Sequence, residues 1–230
     1  MGTVYLIPSL LADDGQVALP SYILDAIKSC RVFFVENERT TRRYFKQLWK
    51  EMVIDEYEWQ LISPDTTELF KKKIKENINI GIVSEAGCPG VADPGQLLTA
   101  IAQEMNADIK PLVGPSSILL ALMASGMNGQ QFRFSGYLPI DNTQRVKTIK
   151  DLEASSARNN CTEIFIETPY RNNQLLESIL KTCSPSTKLC LAADLTGKQE
   201  WVKTKTIAAW RDHKPELHKR PVIFLLYAGQ

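Results

Sequence analysis

Histidine is scarce in this chain. Only His213 and His218 occur among 230 residues, both in a late charged segment. That disfavours a histidine-based hydrolase and a His-ligated metal enzyme, because imidazole is the usual general base and transition-metal ligand near neutral pH. The five cysteines, Cys30, Cys88, Cys161, Cys183 and Cys190, are odd in number and none has C-x-x-C spacing. A disulfide framework and a zinc site are both poorly supported, and the metal set is expected to be empty. No G-x-x-x-x-G-K-[ST] loop occurs and no strand is followed by G-x-G-x-x-G, which removes the P-loop and the common dinucleotide fingerprint. No apolar run approaches the roughly 20 residues that span a bilayer. The start Met1-Gly2-Thr3-Val4-Tyr5-Leu6-Ile7-Pro8 has no basic n-region, and position 6 is Leu where a myristoylation signal carries Ser or Thr, so a cytoplasmic location is expected. Charge of one sign is lacking too. Lys plus Arg is 27 and Asp plus Glu is 26, so no global field draws the chain onto nucleic acid, and an RNA contact needs a local surface.

What remains is a strand–helix alternation from start to finish. The spacing predicts strands at Val4–Ile7, Val32–Val35, Gln60–Ile62, Ile80–Val83 and Ile109–Val113, with helices near Leu19–Ser29, Thr41–Trp49, Thr67–Glu76 and Gln96–Met105. Such alternation argues for parallel βαβ units. A second series has strands near Phe132–Tyr137, Glu163–Ile166, Lys188–Ala192, Trp201–Thr204 and Val222–Tyr227. The strands around 188–204 leave no room for a helix between them, so antiparallel pairing is expected there. The break falls near Gly114-Pro115, followed by a helix over Ser116–Ser125. The expected fold is two α/β domains, 1–114 with a parallel sheet and 115–230 with a mixed sheet, and a cleft between them is a favoured place for a small ligand.

The most informative stretch is Ser84-Glu85-Ala86-Gly87-Cys88-Pro89-Gly90-Val91-Ala92-Asp93-Pro94-Gly95, with three glycines and two prolines directly after the apolar strand Ile80–Val83. Ordinary βα connections run only about two to six residues. Loops at the carboxyl ends of strands are where open α/β sheets bind ligands; glycine allows close backbone approach and proline fixes the loop's shape beforehand. Three further stretches leave strand or turn positions with polar groups, and each has two readings. Ser116 or Ser117 can cap the following helix or leave its amides to a ligand. Glu36-Asn37-Glu38-Arg39-Thr40-Thr41 is a ligand-facing edge or a helix start capped by Thr40 or an acidic residue. Glu167-Thr168-Pro169-Tyr170-Arg171 is a structural ion pair or a substrate-orienting pair. The basic clusters Arg42-Arg43, Lys71-Lys72-Lys73-Lys75 and Lys203-Lys205 read as solvated faces that permit an RNA contact without demonstrating one. A ligand loop with no metal cluster and almost no histidine suits chemistry carried by the cofactor itself, such as methyl transfer.

Several of these motifs, in this order, resemble the tetrapyrrole methylase family of S-adenosylmethionine-dependent methyltransferases: Tyr5-Leu6-Ile7-Pro8, Val83–Pro89 with Asp93-Pro94-Gly95, Gly114-Pro115-Ser116-Ser117, and Gly136-Tyr137-Leu138-Pro139. Within the family, S-[DE]-A-G-x-P…D-P-G and G-[FY]-L-P are similar to the branch that methylates a ribose 2′-hydroxyl in bacterial small-subunit ribosomal RNA. The resemblance implies a homodimer of two-domain chains, with S-adenosyl-L-methionine in the cleft and ribosomal RNA or the small subunit as partner. It implies cofactor contacts at Pro8, Ser9, Glu85, Gly87, Cys88, Pro89, Val91, Ser116, Ser117, Ile166 and Glu167. Glu36 and Arg39 match the ends of the branch's E-D-T-R motif, and Glu167 and Arg171 match Y-E-[SA]-x-[HY]-R. These four are the catalytic candidates, with Glu36 or Glu167 as base for the hydroxyl proton. Five acceptor-side motifs depart from the branch. Pro8–Asp13 lacks its Gly-Asn pair, and the middle of E-D-T-R is Asn37-Glu38. Of the lysine, glycine and arginine after G-[FY]-L-P only Arg145 survives. R-E-L-T-K reads Ala193–Gly197, and K-G-E reads Lys219-Arg220-Pro221. The cofactor side is kept better than the acceptor side. Two alternatives follow: methylation of a tetrapyrrole carbon, and a diverged cofactor-binding protein without catalysis.

Overall fold

The computed structural model of the chain describes residues 2–229. It divides into two compact units, Met1–Ser116 and Ser117–Gln230, two residues beyond the break expected after Gly114.

The first unit is β1 (Thr3–Ile7), α1 (Ile23–Ser29), β2 (Val32–Val35), α2 (Glu38–Leu48), β3 (Glu58–Leu61), α3 (Thr67–Lys75), β4 (Ile80–Val83), α4 (Gly95–Glu104) and β5 (Asp108–Pro111). The strands form one sheet in the order β3-β2-β4-β1-β5, and every pairing is parallel. Strand alternation divides the core in two. Val32 and Phe34 join Phe70 and Ile74 of α3 and Leu98 of α4 on one face, whereas Phe33 and Val35 join Ile23 and Ile27 of α1 and Phe45 of α2 on the other. Helices therefore cover both faces, as parallel sheets require. α2 begins at Glu38, three residues before the expected start, because the Asn37 side chain accepts from the Thr40 amide. The cap is thus Asn37, not Thr40 or an acidic residue. β3 starts two residues early, and β5 stops at Pro111 instead of Val113.

The second unit is α5 (Ser117–Ser125), β6 (Phe132–Tyr137), α6 (Asn142–Asn159), β7 (Thr162–Ile166), α7 (Asn172–Thr182), β8 (Lys188–Ala193), β9 (Trp201–Thr206), α8 (Ile207–Asp212) and β10 (Val222–Tyr227). Its sheet order is β6-β7-β10-β8-β9, with β6 and β7 parallel and the other pairs antiparallel. The sequence VIFLLY of β10 is buried throughout because it is the central strand. At the edge, Lys203 and Lys205 punctuate β9, a common device against edge-to-edge pairing. One apolar core, including Ile149, Leu175, Ile179, Trp210 and Phe224, fills this unit. Among the described residues no helix is long and apolar enough to cross a membrane.

Candidate functional site

In the first sheet, the chain leaves β1 toward β2 on one side and leaves β4 toward β5 on the other, while β1 and β4 are neighbours. This reversal is the topological switch point, and the crevice outside the strands' carboxyl ends is where such sheets bind ligands. The two segments leaving it are Pro8–Asp13 and Ser84–Pro94. Ser9–Asp13 of the first and Ser84–Ala86 of the second line a cavity of about 140 Å³ together with Thr40, Tyr44 and Gln47 of α2.

The Ser84 loop is held from inside. Ser9 Oγ donates to the Ser84 carbonyl (2.7 Å), Ser84 Oγ donates to the Gly87 carbonyl (2.8 Å), and the Ser9 amide donates to the same carbonyl (2.8 Å). Gly87 takes the left-handed φ of +75° that this turn demands, a region costly for residues with a Cβ. Farther along, Asp93 Oδ1 accepts from the Gly90 amide (2.6 Å) and the Gly95 amide (2.8 Å), tying the loop to the first turn of α4. Glu36, leaving β2, accepts from the Glu85 amide through Oε2 (2.9 Å), and Asn37 Nδ2 donates to the Glu85 carboxylate (3.4 Å). Glu85, Ala86, Val91 and Ala92 remain exposed, and the amides of Ala86 and Cys88 donate to no acceptor among the described residues.

The candidate cofactor residues divide by role. Ser9 and Glu85 line the cavity. Pro8 is buried, its carbonyl accepting from the Tyr44 hydroxyl (2.8 Å), and a Cβ on Gly114 would fall 2.1 Å from Pro8 Cβ, so glycine is what lets these segments touch. The Cys88 thiol points at the Gly114 and Pro115 carbonyls (3.7 and 3.6 Å), and burial pushes its pKa up, so it is a packing group and not a nucleophile. Pro89 is buried, Val91 exposed. Ser117 opens α5, and Ser116 directly precedes it. Arg39 is exposed in the first turn of α2 and does not line the cavity.

In the second unit, β6, β7 and β8 run parallel to one another, so their carboxyl ends share an edge. Glu167 follows Ile166 there and is almost fully buried. Its Oε1 accepts from the Thr168 amide (2.6 Å) and from Arg171 Nη2 (2.6 Å). The structural ion pair is therefore formed, and Oε2 of Glu167 has no donor among the described residues. Arg171 is raised above its ordinary pKa, first by that hydrogen bond, against a smaller effect of desolvation, with the Glu167 charge and Tyr137 adding to it. Next to it, Asp194 pairs with Arg220 (2.6 Å) and Asn172 Nδ2 donates to the Arg220 carbonyl (2.7 Å). Arg171 Nε, Asn172 Oδ1 and Thr196 Oγ1, all in this region, are buried without a partner among the described residues. Arg145, the acceptor-side survivor, is buried and clamps the preceding turn through the Ile140 carbonyl (2.9 Å) and Asn142 Oδ1 (3.0 Å).

The structure thus brings Glu36 to Glu85 and Glu167 to Arg171, and it places the two pairs in different units. The bracing roles of Asn37, Asp93 and Tyr44 escape the sequence reading. An Asx residue ahead of a helix is a capping signal that points to the first two, but nothing in the pattern points to Tyr44. The basic clusters are largely paired within the protein: Arg42 with Glu38 (2.6 Å), Lys71 with Glu68 (2.7 Å) and Lys73 with Glu58 (2.6 Å). Among the described residues no group of three or more ligating side chains could hold a metal ion.

No protein-family model matches the chain. It is 27% identical over 208 residues to the ribosomal RNA small subunit methyltransferase I of Vibrio cholerae, covering 89% of this chain and 69% of that protein. It is 31% identical over 170 residues to the protein of the same name from Micromonospora olivasterospora, covering 74% and 52%. The chain thus spans about half to two thirds of the length of these curated relatives. Among solved structures it superposes on the methyltransferase CobJ with a TM-score of 0.63 at 17% identity, covering 99% of this chain and 94% of that one. It also superposes on the uroporphyrin-III C-methyltransferase of Thermus thermophilus complexed with S-adenyl homocysteine, with a TM-score of 0.56 at 13% identity, covering 98% and 97%. A parallel five-stranded unit followed by a mixed five-stranded one is therefore the arrangement of a known fold, and the motifs around Ser84 and Gly136 sit on its strand ends. The chain is a homologue of the ribosomal RNA small subunit methyltransferase I proteins, built on the fold of the tetrapyrrole methyltransferases.

Proposed function

We propose that this chain is an S-adenosylmethionine-dependent methyltransferase acting on a ribose 2′-hydroxyl of small-subunit ribosomal RNA. The observation that carries the reading is the braced loop after β4 at the switch point of the first sheet, in a chain whose relatives bear that enzyme's name. The residues present suit the cofactor. Unused amides at Ala86 and Cys88 offer donors to a carboxylate or a heterocycle, and the exposed Glu85 carboxylate offers an acceptor to hydroxyls or an ammonium. When bound, the cofactor supplies an electrophilic methyl group, so the protein's part is to position the acceptor and accept its proton.

Glu36 and Glu167 are the candidate bases. Glu36 engages Oε2 in the loop, whereas Glu167 keeps Oε1 fixed by Thr168 and Arg171 and leaves Oε2 to take a hydroxyl proton. We therefore assign the proton to Glu167 Oε2, and Arg171 to the flanking phosphate or ribose. Ser116, Ser117 and Ile166 complete the cofactor contacts. A homodimer and a cytoplasmic location belong to the same reading, and light scattering of the purified chain tests the first.

The structural neighbours favour a second acceptor, a tetrapyrrole carbon. One experiment separates the readings: labelled methyl transfer from S-adenosylmethionine to small ribosomal subunits from cells lacking this protein, beside a precorrin acceptor. Label in the ribose of the RNA is the expected result. Label in the precorrin alone overturns the RNA assignment. Cofactor binding by calorimetry with label in neither leaves a binding protein.

A further inference from the structure

The edge of the second unit carries a feature that methyl transfer alone does not account for. Gly136 has φ +66°, and a Cβ there would meet nothing within 4 Å, so only the left-handed backbone requires glycine. The β6–β7 register shifts between Phe134 and Tyr137. A bulge of this kind re-aims the next side chain out of the strand's alternation. Tyr137 emerges 62% exposed at the carboxyl end of β6, where it lines a cavity of about 470 Å³ with Leu138, Pro139, Ile140, Thr168 and Arg171. Ile140 is equally exposed, and Tyr170, 70% exposed, stands edge-on to His218 with ring centroids 5.9 Å apart. Arg171, in the same cavity wall, is fixed by Glu167 at 2.6 Å.

An exposed aromatic face beside a fixed guanidinium has a specific chemistry. Every nucleobase has a π-face that stacks on tyrosine, and single-stranded RNA is recognised by splaying bases onto aromatic side chains. The planar guanidinium matches phosphate oxygens in two-point contact. A volume near 470 Å³ falls within the roughly 300–1,000 Å³ of ordinary ligand sites. An apolar protein partner would have to desolvate Arg171, whereas a phosphate uses it.

We propose that Tyr137 is a stacking platform for an unpaired RNA base, presented by the Gly136 bulge, with Arg171 holding the adjacent phosphate. This deepens the RNA-methyltransferase reading and rests on it for the choice of RNA. The test is fluorescence anisotropy of the full chain with a labelled, unstructured single-stranded RNA of mixed sequence and about 12 nucleotides, a length spanned by known single-strand sites. Tyr137→Phe keeps the dissociation constant within about twofold of the parent. Tyr137→Leu and Tyr137→Ala each weaken it about tenfold or more, the loss expected of one stacked base. Circular dichroism and S-adenosylhomocysteine affinity stay unchanged, because the Tyr137 side chain is exposed and is not among the proposed cofactor contacts. A Tyr137→Ala chain that binds like the parent overturns the platform. So does Leu performing as well as Phe, which would reduce the site to apolar bulk, or a parent chain that does not bind the RNA. Methyl transfer to small subunits is measured in parallel. Transfer with the parent's KM in Tyr137→Ala removes the platform and leaves the methyltransferase reading. Tyr137-dependent RNA binding without any transfer removes the methyltransferase reading and leaves the platform.

Discussion

Replacing Asp93 by alanine tests whether the Ser84 loop is closed before the cofactor arrives. Asp93 Oδ1 accepts from the amides of Gly90 and Gly95 at 2.6 and 2.8 Å. A hydrogen bond to a charged group contributes about 1.5–3 kcal/mol, and a carboxylate at a helix start about 0.3–1 kcal/mol. Because Asp93 is only half-buried, the low end applies, and the closed loop should lose about 2–4 kcal/mol. If the closed loop is the binding form, the apparent dissociation constant rises by the inverse of the closed fraction. A loss of at least about tenfold in S-adenosylhomocysteine affinity is expected, at roughly 1.4 kcal/mol per decade. Asp93→Asn keeps an acceptor but sets an amide nitrogen near the site of Oδ2, which is buried without a partner among the described residues, so it should fall between the two. Isothermal titration calorimetry on each variant, with circular dichroism to verify the fold, gives the numbers. An Asp93→Ala chain that is folded and binds the cofactor product within twofold of the parent would refute the reasoning.

Three other outcomes follow from the geometry. Gly114→Ala drives a Cβ to 2.1 Å from Pro8, and overpacking of this kind costs about 1–3 kcal/mol, read as a lower midpoint in urea. Glu167→Gln lowers methyl transfer about 100-fold or more while S-adenosylhomocysteine still binds; unchanged turnover removes it as the base. Burial pushes the Cys30 and Cys183 thiols from 9.0 up to about 12, with the neighbouring Glu153 also raising Cys183. The folded state therefore keeps protons that the unfolded chain releases, and their contribution is complete below pH 9 and fades as pH rises toward 12. Each thiol should lower stability by about 1.4 kcal/mol per pH unit across that window, and urea denaturation at successive pH values checks it.

Much of the fold is legible in the sequence because buried parallel strands are written as short apolar runs. Val32–Val35 and Ile80–Val83 are buried at every position and are found at their observed bounds. Edges blur where the burial is weak: β3 and β5 are largely exposed, and their bounds shift by up to two residues. α6 hides from periodicity because its buried stripe mixes Arg145, Ser155 and Ser156 with Ile149 and Leu152. α7 goes unassigned in the sequence analysis although it carries the signal that finds α3, since Leu175, Leu176, Ile179 and Leu180 recur at helical spacing. The candidate site is readable as a location, through the glycines and prolines after β4, but not as a set of partners. That Glu36 receives the Glu85 amide depends on β2 lying beside β4, a neighbour relation 49 residues apart that no local pattern encodes. Likewise Gly136 and Tyr137 are visible as a motif, but the register shift that turns Tyr137 outward exists only against β7.

The most direct test of the account is amide hydrogen exchange with and without S-adenosylhomocysteine. Protection on binding should concentrate in residues 84–92 and in the neighbouring segment 9–13, with the far ends of the first sheet unaffected. Protection confined to other segments, or none at saturating ligand, would contradict the claim that the braced turn after β4 is where the cofactor is held.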